Sequence, residues 1–314
     1  MISPSVISGA VLGWALGSNG ASSCFAVAVS TRKVKYKTAI ILTAVFVIVG
    51  AFLEGARGLS KVSTYSYNSG INTEMQAFLA MLAAAITVTI MTMFRLPVST
   101  SQAVIGAIIG GAIINGRADF SEGIKFFTAW LTTPFTAAIL AFILYKIFER
   151  YIEKRIKNYG IYDNIIRITY YVSGIFAAYS LGGNSVANAT AIYTGNINIL
   201  TTKEALLIGG ITMAIGVITY SKGVMKTVGE NLVTLSPISG LISVIASAMT
   251  VFIFVKIGIP VPTSQAVVGA IVGIGLVKGV NTISFKTVRN ILMGWFGTPT
   301  IAGIISLLLF FKFS

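Results

Sequence analysis

Charge is scarce in this chain, and histidine is missing. Only 10% of the 314 residues are Asp, Glu, Lys or Arg, where an ordinary soluble domain carries about 25%. Without histidine there is no zinc–histidine site and no imidazole for acid–base catalysis. The single cysteine, Cys24, rules out an internal disulfide and leaves the compartment open. Apolar residues fill the space instead: 55% are hydrophobic, mean hydropathy is +0.87, and there are 32 glycines. A soluble domain of this size buries only about 75% of the surface it could expose, too little to hide so much apolar area. A soluble enzyme, a nucleic-acid binder, a disordered chain and a disulfide scaffold are therefore set aside. A net charge of +14 would suggest nucleic acid in a soluble protein. In so apolar a chain it marks basic cytoplasmic loops, and no nucleic-acid partner is expected.

Stretches without a charged residue run 1–31, 38–53, 75–94, 96–116, 126–145, 168–202, 205–221, 231–255, 257–277 and 290–311. A bilayer-spanning helix needs about 20 mostly apolar residues, and these stretches do not alternate as barrel strands would. The expectation is a multi-pass helical protein of the cell membrane, with the lipid bilayer as its surroundings. The first apolar stretch lacks a basic leader and a cleavage site, so it reads as mature protein.

Two stretches, 1–31 and 168–202, exceed one span and contain polar glycine clusters, Gly17-Ser18-Asn19-Gly20 and Gly182-Gly183-Asn184-Ser185. Two others, 96–116 and 257–277, begin with proline-bearing polar clusters and then turn apolar. Leu96–Gly110 reads LPVSTSQAVIGAIIG and Ile259–Gly273 reads IPVPTSQAVVGAIVG, identical at eleven of fifteen positions. Trp130-Leu131-Thr132-Thr133-Pro134 likewise matches Trp295-Phe296-Gly297-Thr298-Pro299. These pairs and the Asn19/Asn184 pair are all offset by 163–165 residues. Such agreement in order and spacing marks an internal duplication.

Residues 1–148 form repeat one, 149–167 a charged linker and 168–314 repeat two. Arg32, Lys33, Lys35 and Lys37 follow the first long stretch, whereas the equivalent place in repeat two holds only Lys203 with Glu204. Basic loops stay cytoplasmic, so the first loop is expected inside and its counterpart outside. The fold class is thus an all-α polytopic membrane protein of two inverted-topology repeats. It should have broken helices and about 10–12 transmembrane segments, half-helices included.

Ser99, Thr100, Ser101 and Gln102, with Thr263, Ser264 and Gln265, each follow a proline and open an apolar helix. One reading is helix capping. The other is anion binding. A helix start presents free N–H groups and the positive end of its dipole, and hydroxyls and an amide add neutral donors. A tetrahedral oxyanion fits between two such ends, held weakly enough for release. In the glycine clusters, broken helices would free carbonyls and Asn or Ser oxygens for a small cation. The plainer reading is glycine packed closely against a neighbouring helix.

These motifs resemble the inorganic phosphate transporter (PiT) family, which includes sulfate permeases, over nearly the whole chain. Family members carry two GANDxANA-type and two PVSTT-type motifs. Here they read GSNGASS (17–23), GGNSVANA (182–189), PVSTSQ (97–102) and PVPTSQ (260–265). Gly223–Gly229 with Pro237 is also similar to the family's second half. The resemblance implies substrate held between the motif helices by Asn19, Ser22, Ser23, Ser99, Thr100, Ser101, Gln102, Asn184, Asn188, Thr263, Ser264 and Gln265. It also implies a coupling ion, sodium or a proton, with Asn19, Asn184 and Ser185 as its candidates. No other metal or cofactor is implied.

The departures are specific. The motif aspartate is Gly20 in the first half and Ser185 in the second, the first motif's later asparagine is Ser23, and a family glutamate falls at Val47. None of the nine acidic residues lies in a signature motif. Glu54 is either a proton-carrying carboxylate or an interface residue beside Arg57. Protonated phosphate needs acceptors for its O–H groups and sulfate does not, so the missing aspartates draw toward sulfate. The Gln102 and Gln265 carbonyls remain as acceptors, and phosphate stays ahead of sulfate. A passive anion channel is the competing class. Without histidine, paired motif carboxylates or a nucleophile–base pair, an enzyme is not expected. Whether copies associate into a homo-oligomer is left open by the Gly- and Ala-rich faces.

Overall fold

The computed structural model describes residues 3–94, 98–118, 120–149, 159–232, 236–278 and 285–313. Leu96 and Pro97 of the first polar cluster and residues 150–158 of the charged linker lie outside these residues. The described residues form twelve α-helices and no strand. In lipid every backbone polar group must be met within the protein, and a helix does this within one segment.

In the first repeat the helices are α1 (Val6–Gly20), α2 (Ser22–Ser30), α3 (Tyr36–Glu54), α4 (Ala56–Asn68), α5 (Glu74–Met93), α6 (Thr100–Ile114) and α7 (Phe120–Phe148). The second contributes α8 (Tyr159–Thr190), α9 (Thr202–Leu232), α10 (Pro237–Ile257), α11 (Thr263–Lys278) and α12 (Phe285–Phe313). Six helices are long and apolar enough to cross a membrane, and α6 and α11 are shorter apolar helices. Helices α5 and α6 form one hairpin, and α10 and α11 form its counterpart.

Local chemistry sets several boundaries. Thr73 and Gln76 form a reciprocal capping box at the start of α5. Ser236 caps α10, Pro237 occupies its first turn, and Gly258 ends it with φ +81°. That left-handed geometry suits glycine.

The glycine clusters interrupt their helices less than expected, the first at Ala21 alone and the second not at all. Helix α8 runs through Gly182–Ser185 without interruption. Between α1 and α2, Ala21 keeps helical angles, and its N–H still reaches the Gly17 carbonyl at 3.2 Å. These glycines serve packing instead. A Cβ on Gly17 would lie 1.8 Å from the Met213 carbonyl oxygen, and one on Gly182 would lie 2.1 Å from that of Val47. The chain breaks at the proline-bearing hairpin tips.

Packing interleaves the repeats. Helix α1 lies against α9 and α3 against α8, while α6 lies against α12 and α7 against α11. The two members of each pair of contacts are repeat equivalents. A Cβ on Gly106 would meet Pro299 backbone at 2.3 Å, and one on Gly269 would meet Pro134 backbone at 2.1 Å. Two bodies result, α1–α3 with α8 and α9, and α5–α7 with α10–α12. They meet chiefly through α1 on α5 and α8 on α10. The α10 span is 78% buried and that of α12 only 22%. Helix α10 is therefore central and α12 faces lipid, with Phe296, Ile304 and Leu308 exposed.

Equivalent loops lie at opposite ends. Lys33 pairs with Asp163, and Tyr170 donates to the Pro237 carbonyl at 2.5 Å, at the end expected to be cytoplasmic. At the other end Ser63 donates to the Thr194 carbonyl (3.0 Å) and Arg57 to that of Lys256 (2.8 Å).

Candidate functional site

An extended backbone before a helix lacks partners of its own, and in this interior it must find them elsewhere. The two motif asparagines supply them. Asn184 Oδ1 accepts from the Val261 N–H and its Nδ2 donates to the Val261 carbonyl, both at 2.9 Å. Asn19 Oδ1 accepts from the Val98 N–H at 3.2 Å, while its Nδ2 donates to Thr92 Oγ1 at 3.2 Å. Each asparagine thus holds the residue just before a helix-opening cluster. These side chains, expected as substrate or cation ligands, are engaged with the tips that carry the other candidates.

At the first tip Ser99 caps α6, its Oγ accepting from the Gln102 N–H at 3.4 Å. The equivalent residue, Pro262, offers no hydroxyl, and its carbonyl accepts from the Gln265 N–H at 3.1 Å. Thr100, Thr263 and Ser264 are half-buried. Ser101, Gln102 and Gln265 are at most 4% exposed. Among the described residues Ser101 Oγ, the side-chain carbonyl oxygens of Gln102 and Gln265, and both polar side-chain atoms of Asn188 have no hydrogen-bond partner. A buried polar group left unmet costs about 1–3 kcal/mol. Of these, the glutamine carbonyls recur at equivalent positions beside two helix starts, where buried polar groups are ordinarily met.

The remaining candidates are bonded locally. Ser22 Oγ donates to the Asn19 carbonyl at 2.8 Å and Ser23 Oγ to that of Gly20 at 2.7 Å. Ser185 Oγ accepts from Asn184 Nδ2 at 3.4 Å.

Ser23 and Thr263, one from each repeat, line one small cavity with Ser180 and Ser247. It has about 10 Å³ of room for water centres, roughly one water. Ser180 Oγ has no partner, and Ser247 Oγ donates to the Val244 carbonyl at 3.0 Å. Neither Ser180 nor Ser247 is singled out by the sequence motifs; their repeat equivalents are Ala15 and Ala84, so the duplication gave no signal. Trp130, recognised as part of the duplication, has a specific task. Its Nε1 donates to the Pro260 carbonyl at 3.3 Å, fastening the second tip to α7.

Glu54 sits at the C-terminal end of α3. It accepts from Lys256 Nζ at 2.6 and 2.7 Å and from the Tyr179 hydroxyl at 2.8 Å. This matches an interface residue. Among the described residues no group of three His, Cys, Asp or Glu side chains gathers to hold a metal ion. Any cation at the tips would therefore meet neutral oxygens.

Comparison with known proteins bears on the same architecture. Over 94–97% of its length the chain is 28% identical to proteins named as phosphate permeases in Thermococcus kodakarensis and Methanocaldococcus jannaschii, covering 96% and 92% of those proteins. It is 29% identical to the sulfate permease CysP of Bacillus subtilis, over 94% of this chain and 83% of that one. The fold superimposes on a solved structure described as the sodium-dependent phosphate transporter with a TM-score of 0.87. That match covers 98% of this chain and 97% of the other at 19% identity. The profile of the phosphate transporter family matches residues 16–306, a stretch that holds both tips, both asparagines and both glutamines. The chain belongs to the phosphate transporter family.

Proposed function

We propose that this protein is a secondary transporter that carries a tetrahedral inorganic oxyanion, phosphate first, across the membrane by alternating access. The observation that carries the reading is the pair of buried, unpartnered glutamine carbonyls, Gln102 and Gln265, beside the starts of α6 and α11. Backbone N–H groups and hydroxyls there suit the anionic oxygens. The glutamine carbonyls accept from a phosphate O–H, which sulfate does not have. Candidate ligands beside them are Ser99, Thr100, Ser101, Thr263, Ser264 and Asn188, with Ser22 and Ser23 at the edge.

Repeat one (1–148) and repeat two (168–314), joined by 149–167, are the units of the duplication, but they are not the moving bodies. Each interleaved body takes helices from both repeats. Rocking at the α1–α5 and α8–α10 interfaces would open the tips to one side and then the other. We take sodium as the coupling cation. Its candidates are Asn19, Asn184 and Ser185, where each amide oxygen keeps a second lone pair. The structurally similar transporter is described as sodium-dependent.

Sulfate is the second reading. It is favoured by the absence of motif aspartates and by the likeness to CysP. Uptake of labelled phosphate and sulfate into proteoliposomes, with sodium and proton gradients imposed separately, tests both readings. Saturable phosphate uptake with counterflow and a sodium requirement is expected. Preference for sulfate would shift the substrate, and a non-saturating anion current would replace the carrier with a channel.

A further inference from the structure

We propose a second, superficial oxyanion site on the outer face, ahead of the transport site and resting on the transporter reading, with Lys61 and Lys125 as its charge. Helix α4 is polar in an otherwise apolar protein. It buries Leu59, Val62 and Tyr65 and presents Ser60, Lys61 and Thr64 outward. Between this face and the start of α7 lies a cavity with about 200 Å³ of room for water centres. Lys125 and Glu122 line its other wall. Its floor is Ile259 together with Tyr65 and Phe126, whose rings pack at 5.2 Å.

Three observations give this cavity a function. First, the charges are unspent. Lys61 and Lys125 are exposed and have no ion pair or hydrogen bond among the described residues. Elsewhere Lys256 pairs with Glu54, Lys33 with Asp163, and Lys278 donates to Ser236. Glu122 accepts from Asn68 Nδ2 at 3.3 Å, and the lining remains net positive. Second, Ile259 adjoins Pro260 and Val261, the backbone gripped by Trp130 and Asn184. An anion in the cavity therefore rests on the outer hairpin tip. Third, the cavity lies at the end opposite the basic loops, where Ser63 of the same helix α4 donates to the Thr194 carbonyl.

A concave site of one sign over an apolar floor concentrates counter-ions and speeds their capture. Lysine ammonium groups are mobile, hydrated point charges, suited to brief capture. Ser60 and Thr64 add hydroxyl donors. The ligand class is a phosphate-type oxyanion, and a lipid headgroup carries the same chemistry.

The test uses the full protein in phosphatidylcholine vesicles. Initial uptake of labelled phosphate below saturation is measured as potassium chloride rises from about 20 to 200 mM, which shortens the Debye length about threefold. Lys61→Gln/Lys125→Gln should lower kcat/KM at low salt by about 3- to 10-fold, mainly through KM, and should flatten the salt dependence. Lys61→Arg/Lys125→Arg, which restores the charge, should recover both. Separately, modification of the two lysines by a membrane-impermeant amine reagent should slow when inorganic phosphate replaces chloride at constant ionic strength. Unchanged kcat/KM and salt dependence with no protection would overturn the site. Protection that requires phosphatidylglycerol in the vesicles, with none from inorganic phosphate, would overturn it in favour of a lipid headgroup. If the unaltered protein takes up neither phosphate nor sulfate, the transporter reading fails. Lysine protection still reads this site independently.

Discussion

The two hairpin tips have nearly the same sequence and are held differently. At the outer tip Asn184 bonds both the N–H and the carbonyl of Val261, and Trp130 holds Pro260. At the first tip, among the bonds to described residues, Asn19 accepts from the Val98 N–H and donates to Thr92 Oγ1, and Trp295 Nε1, the counterpart of Trp130, finds no partner among the described residues. A duplicated motif therefore does not dictate a duplicated fastening. In an inverted repeat the two tips face opposite sides, and alternating access requires that they be unlike in any one state. The tip before α11 is the one pinned by both bonds.

The largest expected effect lies where the tips agree. Gln102→Ala and Gln265→Ala should each lower phosphate uptake by about 10- to 100-fold, the equivalent of one hydrogen bond to a charged group. Membrane insertion should be unaffected. Wild-type uptake by both variants would take these helix starts out of the site.

Asn184 probes the fastening directly. Asn184→Ala leaves two backbone groups of Val261 unmet and should destabilise by about 2–4 kcal/mol. Thermal unfolding in detergent measures the loss, and an unchanged unfolding temperature would contradict the clasp.

Trp130→Phe removes one latch of about 1 kcal/mol. In a Cys24→Ala background, outside labelling of Ile259→Cys by an impermeant thiol reagent should then quicken about fivefold. An unchanged rate would show that the Trp130 bond does not restrain the tip.

Glu54→Gln should matter least. The pair with Lys256 is half-exposed on the lysine side and is worth about 1 kcal/mol or less. Uptake within about twofold of the unaltered protein and an unchanged ion requirement are expected. Loss of proton dependence would make Glu54 a proton carrier.

Much of the candidate site was legible because its residues repeat. Gln102 and Gln265 stand at equal places in two copies, and lipid makes buried polar side chains conspicuous. The glycine clusters misled because composition does not distinguish a glycine that breaks a helix from one that admits a neighbour. Gly17 and Gly182 are decided by Met213 and Val47, which are distant in sequence. Ser180 and Ser247 gave no signal, because their repeat equivalents Ala15 and Ala84 carry no hydroxyl and a lone serine is ordinary in a membrane helix. The Asn184–Val261 clasp joins residues 77 apart and follows only from the fold.

The sequence by itself determined that the chain is a helical membrane protein, duplicated, with neutral polar clusters at matched places. The bilayer imposes those features on any chain, since unpaired backbone and stray charge are costly in hydrocarbon. Tertiary structure alone decided that the repeats interleave into two bodies, that the asparagines clasp the tips, and which polar atoms stay unmet. Those outcomes depend on which surfaces meet, and close packing between distant helices selects them through contacts that no local pattern encodes.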